Sequence, residues 1–295
     1  MASAEITSYL KGLMNNYKVD KLADDVNAIE FEQNIKSMLG EVDYLSEGYE
    51  SSDKQRDTSV AFHFGHNHDF GTFEVKGRME TDRHIKVVGN FLEFNRIKPD
   101  SIKGKKIIEL GCWTGGVSML LNAMGAKVVL VEEVKKYVNF LNYFKQAFNL
   151  KNFTVVHSSL YELAKEKKLY DGFDYVLLSG VLYHITDPVL ALRIGFNMTK
   201  PYGKCLIETA GFANNQRLCE YWGTDRFGAG TKQDMNRQGW NWFYPSTAAL
   251  KQMILDVGFQ EAKIHGLTHG RIYAAGIKEE QVDMLRAGLS VRDIR

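Results

Sequence analysis

Apolar and polar positions follow two different periods along the chain, which divide it into a helical beginning and a longer α/β part. From residue 5 to 48, apolar side chains recur every three or four positions and predict two or three helices. Residues 49–78 carry glycines and short alternating runs, which predict a strand or hairpin with a loop. A further helix is predicted over Arg83–Ile97, because Lys98 precedes a proline and is driven out of the helical region.

From Lys105 onward, short apolar runs alternate with stretches of helical spacing. The runs KKIIEL, KVVLVEE, FTVVH, FDYVLLSG and GKCLIETA predict five strands, and apolar strands that alternate with helices form parallel βαβ units. The tail predicts a helix between Ser246 as N-cap and Gly258 as left-handed stop, followed by two strands in an antiparallel hairpin. We therefore predict an α/β fold with a doubly wound, mostly parallel, seven-stranded sheet.

These patterns also predict how the chain is organised. Residues 1–82 are predicted to be a helical, lid-like extension, residues 83–295 the α/β core, and residues 212–244 an insertion after the fifth strand. With 44% apolar and 25% charged residues, the composition is that of a globular protein. The segment at the N-terminus lacks a basic region followed by an apolar run, and no stretch reaches the length of a membrane span. We expect a cytoplasmic protein without a membrane partner.

Charge and cysteine content narrow the classes of partner. The 37 basic and 36 acidic side chains leave a formal charge of +1, which argues against a partner held mainly by phosphate contacts. A local basic patch is compatible with that total. The three cysteines show no CxxC spacing, so neither a disulfide framework nor a cysteine-built zinc site is expected, and a reducing compartment fits.

The candidate chemistry lies where the predicted strands end, because open parallel sheets bind ligands beyond the carboxyl ends of their strands. The first strand ends in ELGCWTGG, in which Gly111 permits a tight turn and a close approach of the backbone to a ligand. The following helix offers unpaired N–H groups to a carboxylate, and Glu109 can accept from an ammonium group. Together they suit the zwitterionic part of S-adenosylmethionine. The spacing is not GxGxxG, because Trp113 stands where the second glycine would be, so the loop alone also fits a tight turn without a ligand.

The second strand ends in two acids. A carboxylate at this place can accept from both hydroxyls of a ribose, a geometry that dinucleotide and S-adenosylmethionine sites share. Glu132 directly follows the apolar run and is our choice, since Glu133 also fits the first turn of a helix, where acids are favoured. An exposed acid without a ligand is the alternative for either residue.

The fourth strand and its loop, FDYVLLSGVLYH, together with ELGCWTGG and GKCLIET, resemble the class I S-adenosylmethionine-dependent methyltransferases. The resemblance covers residues 104–211 well and 240–277 moderately. It implies a Rossmann-like core, S-adenosylmethionine as cofactor, and an adenine enclosed at the third strand end by Ser159, where an aspartate is common. The implied cofactor residues are Glu109, Gly111, Trp113, Gly115, Glu132, Ser159, Leu160 and Ser179.

The segments GVLYH, GKCLIET and NWFYPSTAALKQMILDVGF are most similar to the branch that contains the tRNA wobble-uridine carboxymethyltransferase, which uses a carboxylated donor. Tyr183 matches a tyrosine that helps to bind the extra carboxylate in that enzyme. The lysine that accompanies it upstream has no counterpart here, so the resemblance favours plain S-adenosylmethionine. Because related branches methylate small molecules, sugars and lipids, it does not identify the acceptor.

Methyl transfer from a sulfonium needs mainly positioning, which can contribute roughly 7–11 kcal/mol to lowering the barrier. We name Tyr183 and His184 as catalytic candidates, since His184 follows the fourth strand and has a side chain suited to act as a base near neutral pH. A histidine that shapes the turn before Asp187 is an equal alternative. The expected acceptor contacts come from the histidine segment and from the aromatic insertion, namely His66, His68, Arg78, Trp242 and Tyr244.

The histidine segment and the aromatic insertion are each compatible with more than one role. The set His63, His66, His68 and Asp69 is compatible with zinc or iron, but exposed loops collect histidines and this donor needs no metal, so we expect none. The insertion also holds Trp240, Arg226 and Arg237, which could grip a planar or anionic acceptor; at least half of its aromatic side chains are expected to pack onto the sheet instead.

Three functions therefore remain open. The first is a methyltransferase acting on an oxygen or nitrogen of a small molecule, and the second is a tRNA-modifying (carboxy)methyltransferase. The third is a non-catalytic protein that binds S-adenosylmethionine. The first is favoured, and the sequence does not predict an oligomeric state.

Overall fold

The structure of the chain is a computed structural model that describes residues 2–41, 61–78, 82–222, 241–268 and 270–279. Its α-helices are α1 (Ala4–Leu13), α2 (Ala28–Met38), α3 (Arg83–Phe94), α4 (Gly116–Ala123), α5 (Lys135–Ala147), α6 (Leu160–Leu163), α7 (Pro188–Met198) and α8 (Thr247–Asp256). Four short strands come before the core: β1 (Gly40–Glu41), β2 (Ala61–Phe62), β3 (His68–Asp69) and β4 (Glu74–Val75). The later strands are β5 (Lys106–Leu110), β6 (Lys127–Glu132), β7 (Phe153–His157), β8 (Phe173–Ser179), β9 (Thr199–Ala210), β10 (Cys219–Tyr221), β11 (Phe243–Pro245), β12 (Glu261–Thr268) and β13 (Arg271–Ile277).

Seven strands form the central sheet in the order β12-β13-β9-β8-β5-β6-β7. The pairs among β5 to β9 are parallel, whereas β13 pairs antiparallel with both β9 and β12. The order reverses beside β5, so the loops after β5 and β8 flank the crevice where such a sheet binds ligands. The predicted mostly parallel, seven-stranded sheet with its antiparallel hairpin is confirmed.

Both faces of the sheet are buried, as a doubly wound fold requires. Neighbouring positions of β5 separate the two cores: Ile107 packs with the core that includes α3, α4 and α5, and Ile108 packs with the core that includes α7 and α8. Each is at most 1% exposed. Full burial of one such side chain contributes roughly 1.5–3 kcal/mol.

The buried apolar side chains of residues 2–41 and 61–78 belong to the same core as α3, α4 and α5. Tyr17 and Phe31 are at most 1% exposed, and their ring centroids both lie within 5.8 Å of that of Phe148, which directly follows α5. The Tyr17 ring also lies 5.4 Å from that of Phe144 in α5. The Tyr17 hydroxyl also donates to the Met119 carbonyl at 2.7 Å. The first part of the chain is therefore packed onto one face of the sheet.

Several local predictions can be compared with the structure. The Ser246 side chain accepts from the Ala249 N–H at 3.0 Å and caps α8 as predicted, and Gly258 has the expected positive φ of +116°. The helix predicted to reach Ile97 ends at Phe94 instead, because Arg96 has a φ of +53° and cannot continue it. A hairpin within residues 49–78 is confirmed by the pairing of β3 with β4.

Parts of two predicted segments fall outside the described residues. The helical spacing predicted for residues 42–48 lies there, as do Arg226, Arg237 and Trp240 of the insertion. Within the described residues, the structure contains no helix that is both long enough and apolar enough to cross a membrane.

Candidate functional site

The loop after β5 makes a turn that needs left-handed backbone at three positions. Gly111, Trp113 and Gly115 have φ angles of +72°, +52° and +73°. A Cβ atom on Gly111 would lie 2.6 Å from a methyl group of Val181, so glycine is required there for contact with the loop after β8. The donor loop predicted from the sequence and the loop that carries Tyr183 are thus directly packed together.

Glu132 holds this glycine loop from the end of β6. Its buried carboxylate accepts from the Trp113 N–H at 2.8 Å through Oε2, and from the Glu133 and Val134 N–H groups at 3.0 Å through Oε1. Because a carboxylate has about four acceptor positions, the same side chain can hold the loop and also accept from a ligand hydroxyl. Glu133, the alternative acid, is exposed.

Glu109 lies beneath the loop at the end of β5. It is 3% exposed, and its Oε2 accepts from the Ser118 hydroxyl at 2.6 Å. Burial raises the pKa of Glu109 to about 7, while the Ser118 hydrogen bond and the charge of Arg83 act in the opposite direction. A cation placed beside Glu109 would favour its ionised form.

The ends of β7 and β8 place two buried serines beside the loop. Ser159 accepts from the Glu162 N–H at 3.2 Å, and Glu162 accepts from the Ser159 N–H, which makes a capping box for α6 next to the buried Leu160. Ser159 therefore has a local role as the N-cap of α6. The Ser179 hydroxyl is buried and has no hydrogen-bond partner in the described part of the chain. An unsatisfied hydroxyl at a strand end fits a contact with a bound ligand.

A charged cluster that the sequence did not predict lies at the end of β9 and the start of β13. Glu208 is 1% exposed, and its carboxylate binds Arg83 Nη2 through Oε2 and Arg271 Nε through Oε1, both at 2.7 Å. Two guanidinium groups on one carboxylate leave one positive charge in excess. Glu208 follows a buried apolar run as Glu132 does, so the rule that selected Glu132 would also have found it.

This cluster connects to Tyr183. The Arg271 guanidinium lies 4.7 Å from the centre of the Tyr183 ring, and its Nη2 donates to the Tyr183 hydroxyl at 3.1 Å. Arg83 in turn packs against Gly180, at the beginning of the same loop. The residues predicted as catalytic therefore stand next to a positive charge that the sequence pattern did not reveal.

Aromatic residues of the insertion form a wall beside the Tyr183 loop. The Trp242 N–H donates to the Tyr183 carbonyl at 2.7 Å, and the Tyr244 ring meets the Tyr183 ring edge-on with centroids 6.0 Å apart. Trp222 stacks on Tyr244 at 4.2 Å. His184 is exposed, with its ring 4.0 Å from that of Tyr183. The structure thus brings together Tyr183, His184, Trp242 and Tyr244.

Two of the predicted acceptor residues, His66 and His68, lie in the histidine segment, and the structure places His66 beside the start of α4. His66 and His68 are each 2% exposed, and Nε2 of His66 lies 3.2 Å from Nδ1 of His68. His66 packs on Gly116 at the start of α4 and lies beside His84, with ring centroids 4.3 Å apart. None of the described contacts joins these histidines to Tyr183 or His184. Arg78 is exposed, and its N–H donates to the Phe64 carbonyl at 2.8 Å.

The same segment contacts the glycine loop through Gly65. The Gly65 N–H donates to the Thr114 hydroxyl at 2.9 Å, and the backbone of Gly65 lies against the Trp113 ring. Among the described residues, no group of three or more histidine, cysteine, aspartate or glutamate side chains has an arrangement that could hold a metal ion. Asp69 binds Lys18 at 3.1 Å.

Comparison with known proteins identifies the family of the chain. A model described as a methyltransferase domain matches residues 101–249, which include the glycine loop, the Tyr183 loop and the first turn of α8. The N-terminal domain of EvdMO1, solved with SAH bound, superposes with a TM-score of 0.58 over 86% of this chain and 98% of that domain. Its sequence identity is 13%, so this likeness concerns the fold alone.

Two curated relatives have different printed activities. The tRNA U34 carboxymethyltransferase of Campylobacter hominis is 29% identical over 138 residues, which are 44% of this chain and 45% of that protein. The ubiquinone biosynthesis O-methyltransferase of Pseudomonas fluorescens is 28% identical over 111 residues, 37% of this chain and 46% of that protein. The chain thus spans about half the length of the curated relatives it matches. The matched domain and the sheet order show that the chain belongs to the methyltransferase domain family, with the class I fold of S-adenosylmethionine-dependent methyltransferases.

Proposed function

We propose that the chain transfers a methyl group from S-adenosylmethionine to an oxygen or nitrogen of a planar small-molecule acceptor in the cytoplasm. The observation that carries this proposal is the contact between Gly111 and Val181, which packs the donor loop directly against the loop of Tyr183 and His184. A donor bound on the first loop would have its reactive end beside the second. The aromatic wall of Trp242 and Tyr244 borders the same place.

The residues present fit the donor. In our proposal, Glu132 accepts from the ribose hydroxyls, while the buried Ser179 hydroxyl and Glu109 contact the amino-acid part. Gly111, Trp113 and Gly115 shape the backbone around it. Ser159 and Leu160 border the adenine, which is the role the family resemblance implies for the third strand end. Bound S-adenosylmethionine supplies an activated methyl group, so the chain has to orient the acceptor and exclude water.

The acceptor site is proposed between Tyr183, His184, Trp242 and Tyr244. Aromatic walls favour a planar acceptor, because ring stacking adds roughly 0.5–1.5 kcal/mol beyond the area buried. His184 is proposed to accept the proton that the nucleophile loses. In this proposal residues 1–82 act as a cover, in which His66 and His68 stabilise the back of the donor loop and Arg78 is available to the acceptor.

A second candidate is carboxymethyl transfer to a tRNA base. Its support is the pair of Arg271 and Tyr183, which presents a guanidinium and a hydroxyl at 3.1 Å from each other. Such a pair suits a carboxylate, and Arg271 supplies a cation although the upstream lysine has no counterpart. The printed activity of the Campylobacter hominis relative points in the same direction.

One experiment separates the candidates. The purified chain is incubated with S-adenosylmethionine or its carboxylated form, and with either a metabolite extract or bulk tRNA; mass spectrometry then identifies a methyl or a carboxymethyl adduct. Methylated metabolites support the first candidate, and carboxymethylated tRNA supports the second. If calorimetry detects donor binding but neither pool is modified, the chain is a binding protein and both enzymatic candidates are wrong.

A further inference from the structure

Lysines line the edge of the sheet where the parallel strands begin, opposite to the glycine loop. Lys106 and Lys127 begin β5 and β6 and are direct partners in the ladder. Lys151 precedes β7, and Lys200 and Lys204 lie in the first part of β9. Because neighbouring strands are about 4.8 Å apart, the row from β7 to β9 spans about 19 Å. We call this row the lysine edge.

The lysine edge carries more positive charge than its acids balance. Asp174 is shared by Lys105 and Lys200, whose ammonium nitrogens lie 3.5 and 2.5 Å from its Oδ1. Lys106, Lys127 and Lys151 have no carboxylate at ion-pair distance in the ranges that the structure describes. Like charges in direct register destabilise a sheet, so stability does not explain the placement of Lys106 beside Lys127.

A strained tyrosine interrupts the same edge. Tyr202 lies in the first part of β9, between Lys200 and Gly203, where the pairing of β9 with β8 shifts its register. Its φ of +64° is in the region that favours glycine. The residue is 77% exposed, so no packing compensates for the strain. An exposed ring held in an unfavourable backbone conformation, with lysines on both sides, indicates a surface that binds a ligand.

We propose that the lysine edge is a docking surface for single-stranded RNA. Lysines in a row neutralise successive phosphates, and an exposed aromatic ring stacks on a base. The combination distinguishes RNA from an acidic protein segment, which has carboxylates but no bases to stack. This inference goes beyond the proposed function, because the edge lies at the opposite end of the strands from the donor loop and binding there is measured without turnover.

The first test measures how much the lysine charges contribute to RNA binding. Fluorescence anisotropy with a short labelled oligouridylate avoids adenine, which could enter the donor pocket, and is repeated over a range of salt concentrations. We expect Lys106→Gln with Lys127→Gln to reduce the slope of log affinity against log salt by about 1.4, or about 0.7 for each lost phosphate contact. The matched control removes Lys86 and Lys251, exposed lysines on α3 and α8, and should leave the slope unchanged. No binding by the parent, or equal loss in both double variants, would overturn the proposal.

The second test separates binding from folding at Tyr202. Tyr202→Gly relieves the strained φ, so we expect a higher melting temperature together with an affinity for the oligonucleotide that is about five-fold lower. Tyr202→Phe retains a ring and should keep the affinity of the parent. An unchanged affinity in Tyr202→Gly contradicts the stacking role. Displacement of the RNA by poly-glutamate at equal charge concentration would assign the edge to an acidic protein instead.

Discussion

The carboxylate of Glu132 is placed to support both the loop and the proposed donor, so Glu132→Gln is expected to have two separable effects. In the free chain, the amide of glutamine keeps one oxygen for the Glu133 and Val134 N–H groups. Its NH₂ then faces the Trp113 N–H, where a donor meets a donor. Loss of a charge-assisted hydrogen bond to a buried backbone group costs roughly 1.5–3 kcal/mol of unfolding free energy.

The second effect concerns donor affinity. If the ribose hydroxyls donate to Glu132, the exchange of a charged for a neutral acceptor weakens two hydrogen bonds by about 1 kcal/mol each. The sum of about 2 kcal/mol corresponds to about thirty-fold weaker binding. Calorimetry with S-adenosylhomocysteine measures this loss, and thermal unfolding without the ligand measures the first effect.

Glu133→Gln is the matched control, because Glu133 is the neighbouring acid and its side chain is exposed. We expect its donor affinity and melting temperature to equal those of the parent. Unchanged donor affinity in Glu132→Gln would refute the assignment of Glu132 to the ribose, even if the variant is less stable. A loss of affinity in Glu133→Gln alone would place the ribose at the other acid.

Three further predictions follow from the same structure. His184→Asn should lower kcat by about a hundred-fold or more with unchanged donor affinity, since general bases contribute about 10²–10⁴; full activity across the pH range would show that His184 is structural. Burial lowers the pKa of His68 to about 4 and that of His84 to about 3. Because the unfolded chain then binds more protons, these two histidines reduce stability only below pH 6.5, where each lowers the free energy of unfolding by about 1.4 kcal/mol per pH unit until its folded-state pKa is reached. Urea titrations at several pH values should show that the free energy of unfolding of His68→Gln changes less steeply with pH than that of the parent, and an equally steep change would contradict this. Deletion of residues 1–75 should expose the aromatic cluster on α5 and make the protein aggregate, whereas a truncated chain that folds and remains active would refute the role of a shared core.

Periodicity predicted the sheet because burial on both faces leaves uninterrupted apolar runs, which β5, β6 and β8 show. It predicted the α8 cap because Ser246 acts within four residues of its own position. Periodicity was less informative for His66 and His68. They are two residues apart, so an extended segment puts both side chains on the same face. The pattern indicates that these residues share a face but not which face, and the structure buries both.

The pairing of Glu208 with Arg83 and Arg271 could not be predicted from the sequence, for a different reason. Its members are 125 and 63 residues apart, and they meet only because β13 inserts beside β9 in the antiparallel sense. The start of β13 therefore lies at the ends of the parallel strands, so that Arg271 reaches Tyr183. Because Arg271 begins β13, it is not among the residues at strand ends, where the candidate site was predicted.

The sheet order also changes how the net charge of +1 is interpreted. The net charge does not depend on where the charged side chains lie. The sheet order places the starts of β7, β6, β5 and β9 on one edge and brings lysines together there. At an ionic strength of 0.15 M, charges separated by more than about 8 Å are largely screened from each other. Acids on distant surfaces therefore do not cancel the potential of the lysine edge. The low net charge argued against a partner held by phosphate contacts, yet the local excess around Lys106 and Lys127 determines what can bind there.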